Sequence, residues 1–256
     1  MAKFASVIVN GGANYRTEAS EAFEHRLASM CEIVEVLARS HADVDTVLFP
    51  AGYFCTTRHS QVQRIATRVA QRIADLDAPF TVAWGIDGWT EEAKGELSSD
   101  EHGYPFFAAA KLAGCSDVTL FRQSAITAEE GRSETLAGRW VGRSITIGGT
   151  RNALLICGEC LSEALLDRVR RARSRVLLIP AHRKVNLMDE SGGGWSRQSW
   201  HLRLQGFSAD TGIPVILSEH TRSPWRHTYS WGGRRTEEME LPAPLNRQYT
   251  VKLTEV

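Results

Sequence analysis

Cys157 is the residue in this chain best placed to act as a nucleophile. It follows an apolar run, Ala153 to Ile156, that reads as a buried strand, and Gly158 comes directly after it where a helical pattern begins. A thiol on such a strand-to-helix turn projects from the end of a sheet. Gly158 lets the backbone turn tightly, and the amides of the first helical turn can stabilise a thiolate or an oxyanion. The competing reading is a buried, purely structural cysteine, since cysteine is among the residues most often found in cores.

A nucleophilic thiol needs a base. His182, between Leu178 and Lys184, lies just past the next strand and on the same edge of the sheet. A Cys157–His182 pair would lower the thiol pKa; the alternative is a surface-loop histidine. Glu129 and Glu130, in a polar loop from Arg122 to Glu134, are further acid–base candidates, or else solvated carboxylates. Glu159 belongs to the first turn after the thiol, where capping or dipole stabilisation is its expected role. Cys157 and Cys160 form a C-x-x-C, but no second pair stands at zinc spacing, so neither a metal nor another cofactor is expected. A thioredoxin-like redox pair is the lesser alternative.

These residues must be positioned by a repeating strand and helix pattern. Phe4 to Val9 reads as a strand ending at Asn10 and two glycines, Glu18 to Arg39 as a long amphipathic helix, and Asp45 to Phe49 as a second strand stopped by Pro50. That succession is a right-handed βαβ crossover whose ligand edge lies where Pro50 to Phe54 emerges. A helix over about Ser60 to Leu76 and a strand from Phe80 to Gly85 follow. Asp87 to Tyr104, rich in Asp, Glu, Ser and Gly, reads as an exposed excursion. Phe106 to Leu112 reads as helix and Val118 to Phe121 as strand, with a short strand near Arg143 to Ile147. After Cys157 the pattern gives a helix from Leu161 to Arg173, a strand from Val176 to Ile179, a Gly-rich loop from Ser191 to Trp195, a helix around Gln198 to Asp210 and a strand from Ile213 to Ser218. Short β patterns at Tyr229 to Trp231 and Gln248 to Leu253 close the chain. No composition break divides it, which predicts one α/β domain spanning 1–256.

Composition narrows the partners. Over 256 residues, 30 basic side chains balance 30 acidic ones, so no global field favours nucleic acid or an anionic membrane. The arginines from Arg168 to Arg175 put three charges on one helix face, which reads as a solvated exterior, a docked phosphate being the lesser alternative. The five cysteines are odd in number and scattered, as in a protein with reduced thiols. With no membrane-length apolar stretch and too short an apolar N-terminus for a signal peptide, a cytoplasmic protein is expected.

Three segments in order resemble the carbon–nitrogen hydrolase (nitrilase/amidase) superfamily. Val47 to Pro50 looks like the family's apolar strand ending in Phe-Pro-Glu. Phe121, Arg122 and Gln123, with Glu129 and Glu130 after them, are similar to its Tyr-Arg-Lys segment followed by a second Glu. Leu155 to Glu159 resembles its Ile-Cys-Tyr-Glu nucleophile turn, and Leu177 to Pro180 the strand that follows. The spacing among the segments also fits, and the likeness spans nearly the whole chain.

The resemblance implies an αββα sandwich of the nitrilase type, commonly paired into a homodimer or larger oligomer. It also implies chemistry in which a Cys attacks an amide or nitrile carbon, a Glu acts as base, a Lys steadies the tetrahedral intermediate, and water hydrolyses a thioester. Cys157 then stands at the nucleophile, with Gly158 after it. Ala51 occupies the Glu position, and Gln123, or Arg122 if the alignment slips by one, occupies the Lys position. A methyl group accepts no proton and a neutral amide carries no charge; losing either a base or an oxyanion donor costs about 10²- to 10⁴-fold. Two functions follow. One is a divergent hydrolase of a small amide or nitrile-like substrate in which Cys157 works with a substitute base, His182 or Glu130, while Ala51, Arg122, Gln123, Glu129 and Gly158 line the substrate site. The other is a catalytically silent member that binds a small ligand or assembles.

Overall fold

The computed structural model describes residues 1–10, 20–56, 59–88, 106–123, 125–127, 133–135, 144–147, 150–182, 197–221 and 230–256. In chain order, β1 (Lys3–Asn10), α1 (Ser20–Ser40), β2 (Thr46–Leu48), β3 (Phe54–Cys55), α2 (Val62–Ala74), β4 (Thr81–Asp87), β5 (Phe106–Lys111) and β6 (Val118–Arg122) make up the first half. There follow the short strands β7 (Ala125–Thr127), β8 (Ser133–Thr135), β9 (Ser144–Ile147) and β10 (Thr150–Leu154), then α3 (Glu163–Arg171), β11 (Leu177–Pro180) and α4 (Arg197–Thr211). The chain ends with β12 (Val215–Ser218), β13 (His220–Thr221), β14 (Ser230–Trp231), β15 (Arg235–Met239), α5 (Leu245–Gln248) and β16 (Tyr249–Glu255).

Two sheets result. The larger runs β15-β16-β1-β2-β4-β5-β6, with β3 and β13 pairing onto the ends of β4 and β1. The smaller runs β14-β12-β11-β10-β9. Strand alternation divides the apolar residues into three layers. Ala5 and Val7 of β1 and Val82, Trp84 and Ile86 of β4 pack against Leu27, Met30, Val34 and Leu37 of α1 and Ala66, Val69 and Ile73 of α2. Leu177 and Ile179 of β11 pack with Leu165, Leu166 and Val169 of α3 and Leu204 and Phe207 of α4. Between the sheets lie the residues of opposite parity: Phe4, Leu48, Ala51, Ala83, Ala108, Ala110, Leu154, Ile156, Leu178 and Ile216. The layer order is α, β, β, α, the sandwich expected from the sequence.

Several elements differ from that expectation. Phe106 to Lys111 is a strand, paired antiparallel to both β4 and β6, rather than a helix. A short Phe-Ala run carries no period that separates the two forms, and the ladders on either side override alanine's helical preference. Its alanines serve the sandwich: Ala108 and Ala110 allow the second sheet to approach. Strand β4 runs two residues beyond Gly85, so Asp87 is buried at the strand end and does not begin an exposed excursion. Residues 89–104 of that segment and the glycine-rich stretch Ser191 to Trp195 lie outside the described residues. The loop after Arg122 contains an antiparallel pairing of β7 with β8, and β15 adds an unforeseen antiparallel strand beside β16. Among the described residues no helix is long and apolar enough to cross a membrane.

Candidate active site

The turn after β10 is a single 3-10 segment, Cys157–Leu161, before α3 begins. Its tightest residue is Cys157 itself, with φ at 47°, and not Gly158, the residue expected to supply the turn. A side chain in that left-handed conformation costs about 1–2 kcal/mol and persists only where its surroundings hold it. Glu159 is part of the hold: fully buried, its carboxylate accepts the Ile156 N–H at 2.7 Å. This is the capping duty expected of it, applied directly behind the thiol. Cys157 is half-buried against the inter-sheet cluster, whereas Cys160 is fully buried in the outer cluster below α3 and α4. All five cysteines are free thiols.

His182 comes to the same place by parity. Along β11, Leu177, Ile179 and Ala181 face the outer helices, so Leu178 and His182 face the opposite sheet. The same alternation along β4 turns Ala83, Gly85 and Asp87 toward the smaller sheet. The two side chains meet: His182 Nε2 lies 2.7 Å from Asp87 Oδ1, with side-chain exposures of 13% and 3%. An ionised carboxylate can only accept, so Nε2–H donates. His182 also hydrogen-bonds with the Cys157 side chain. Burial alone would push the imidazole below its ordinary 6.5, but the Asp87 and Cys157 charges and their hydrogen bonds outweigh it and hold the group well above that value. Phe106 closes one side, its ring edge-on to the imidazole at 4.9 Å between centroids.

A cysteine-to-alanine mutant of the Nesterenkonia amidase from the nitrilase superfamily superposes with a TM-score of 0.61 at 12% identity, covering 100% of this chain and 90% of its own. A glutamate-to-glutamine mutant of that amidase, showing the result of Michael addition of acrylamide at the active site cysteine, gives 0.59 at 12% identity, with coverage of 100% and 93%. A carbon–nitrogen hydrolase from Helicobacter pylori gives 0.56 at 12% identity, covering 86% of this chain and 74% of its own. The chain has the nitrilase-superfamily fold. No protein-family model and no curated protein sequence matches it.

On this nitrilase-type frame the other expected residues divide by face. Ala51 is buried in the inter-sheet cluster, and its carbonyl accepts the His220 Nε2–H at 3.0 Å. Gln123 is buried at the end of β6, its N–H donating to Phe106 O at 2.8 Å; it continues the ladder on the parity of Phe121, which packs between the sheets. Arg122 has the other parity and lies over the Phe107 ring at 5.5 Å, in the layer under the helices. The one-residue slip that would offer Arg122 in place of the family's Lys therefore puts its guanidinium on the wrong side of the sheet. Glu129 and Glu130 lie outside the described residues. Gly158 is buried beside the thiol. The arginines at 168, 170, 171, 173 and 175 are exposed, Arg170 pairing with Asp167 at 2.5 Å, as a solvated face requires.

Asp87 is the site residue that sequence reasoning missed. The signal was present in the Ala83, Gly85, Asp87 alternation, obscured by a boundary drawn at the glycine.

Proposed function

We propose that the protein is a hydrolase of a small amide or nitrile carbon–nitrogen bond, acting through Cys157 as nucleophile with His182 as its base. The observation that carries the reading is the buried His182 imidazole, bound to Asp87 at 2.7 Å and interacting with the Cys157 side chain. With Asp87 bound at Nε2, Nδ1 is the ring nitrogen that would take the thiol proton.

For an amide the step is as follows. The Cys157 proton passes to His182, and Sγ bonds to the carbonyl carbon. The imidazolium then protonates the leaving nitrogen, the C–N bond breaks and the amine departs, leaving a thioester. Water, deprotonated by the same imidazole, attacks the thioester, and the C–S bond breaks to give the carboxylic acid and free thiol. Gln123, neutral but able to donate from its side-chain amide, is the candidate oxyanion partner in place of a lysine, alongside the amides of the Gly158 turn. The similar Nesterenkonia structure with acrylamide added at its active site cysteine supports a small unsaturated amide as the first probe.

The test is exposure of the protein to acrylamide and fluoroacetamide with peptide mapping of the adduct, together with an ammonia-release assay over short aliphatic amides and nitriles. The expected result is labelling at Cys157 ahead of the exposed Cys115, and turnover abolished by Cys157→Ala. Labelling at Cys115 first, with no Cys157-dependent turnover on any member of the panel, would favour the second reading. That reading is a ligand-binding protein without catalysis, and the apolar burial of Ala51 supports it.

A further inference from the structure

We infer that Asp87 is the positioning residue of the site, the third member of a Cys157–His182–Asp87 relay assembled across the two sheets. The inference rests on the proposed nucleophilic role of Cys157 and deepens it. A carboxylate that the frame would carry on the loop after β2, at position 51, is supplied here from the end of the neighbouring strand β4.

Four observations converge. The Asp87 side chain is 3% exposed, and its Oδ1 is bound to His182 at 2.7 Å. Its Oδ2 has no hydrogen-bond partner among the described residues, so the imidazole is the group that answers its charge there. Space for the carboxylate is made by glycine: a Cβ on Gly52, whose φ is 62°, would stand 2.8 Å from Asp87 Oδ2 and 3.1 Å from His182 Cδ2. The loop bearing Ala51 and Gly52 is itself pressed onto β4 at Gly85, where a Cβ would fall 2.2 Å from the Ala51 Cα. A methyl at 51, a bare backbone at 52 and a carboxylate at 87 thus form one arrangement. A side chain at 52 would collide with the carboxylate at 87, and a second carboxylate on this loop would face it with like charge.

The ring is fixed from each side. Asp87 from β4 and Cys157 from the turn after β10 are the titratable groups acting on it, while Phe106 from β5 and Gly52 from the loop after β2 are neutral. Arg183 and Lys184, which follow in the chain, lie outside the described residues. With Nε2–H directed at Asp87, the carboxylate selects the tautomer whose other nitrogen can take the thiol proton, and it stabilises the imidazolium that results.

The experiment is the pH profile of Cys157 alkylation by iodoacetamide, followed by mass spectrometry, in the intact protein and in Asp87→Asn and His182→Ala. A thiolate paired with imidazolium reacts well below the ordinary thiol pKa of about 8.5. The expected result is a midpoint moved toward that value in both variants, with the rate at neutral pH reduced about tenfold or more. If His182→Ala shifts the profile and Asp87→Asn does not, whatever its effect on melting temperature, Asp87 is only a structural tie and the relay is overturned. If His182→Ala also leaves the profile unchanged, the proposed function fails with it. Should Asp87→Asn not fold, the imidazole can be titrated directly by NMR in Cys157→Ala: a His182 pKa above 6.5 upholds the role of Asp87, and a value at or below it refutes it.

Discussion

At the residue scale, the side chains of the site come from strand ends: a buried Asp87 bound to His182 near the Cys157 turn. Cys157 and His182 are readable in sequence because each ends a short apolar run, and such runs mark the strand ends where functional side chains emerge. Asp87 is not, because its neighbours from Asp87 to Tyr104 are polar and the strand's last two residues take on the look of the loop. Its value comes from a partner 95 residues away in the chain, which no local pattern reports. Replacing Ala51 by the glutamate of the family pattern should therefore not restore the family's chemistry. The new carboxylate would enter an apolar cluster, on the loop whose next residue lies against Asp87 and against a His182 imidazole already bound to that carboxylate. Ala51→Glu is expected to lower stability by about 3 kcal/mol and to leave amide turnover below that of the parent protein. Urea unfolding and the ammonia-release assay measure both; a stable variant with raised turnover would show that the frame still accepts a base at 51.

At the element scale, what positions the site is the pleat. Phases along β4, β5, β6 and β11 put Asp87, Phe106, Gln123 and His182 on the inter-sheet side, and one residue of slip in any of them would turn its contribution away. Arg122 illustrates this: adjacent to Gln123, it serves the helix layer and stacks on Phe107. Strands such as β1, β11 and β12 were legible because Val, Ile and Leu dominate them, while the charged β15 was not, nor was β5, its run of three alanines suiting a helix equally well until paired. The approach of the loop after β2 to β4 depends on Gly85, whose N–H also donates to Pro50 O at 3.0 Å. A methyl there meets backbone, which cannot swing aside as a side chain can. Gly85→Ala should cost about 3 kcal/mol in urea unfolding and slow Cys157 alkylation by displacing Gly52 from the imidazole. Full stability would mean that the loop yields cheaply and that its close packing does not hold the site.

At the scale of the whole molecule, the alternation of strands and helices pointed to one α/β domain, and the sandwich followed from the resemblance of three segments to the nitrilase superfamily, even though the similar solved structures share 12% identity. Layer order survives such divergence because it needs only apolar residues at the right period, whereas the polar contacts between layers need particular pairs. The Asp87–His182 bond is one such pair, joining the larger sheet to the smaller, and its ionisation couples the packing of the sheets to pH. The folded imidazole is held above its ordinary 6.5, so folding favours the proton-bound form. That contribution is fully present below pH 6.5 and is lost as pH rises through the higher, folded-state value. Cys157→Ala removes the thiol's share and leaves Asp87 as the charge facing the ring. Melting temperatures of Cys157→Ala and of Cys157→Ala/His182→Ala, measured across pH, should differ most below 6.5 and converge toward a constant gap at alkaline pH. The constant remainder is the packing lost against Phe106, which does not titrate. A gap that widened with rising pH would mean that the imidazole is buried neutral, and the carboxylate beside it would then need another cation to account for its burial.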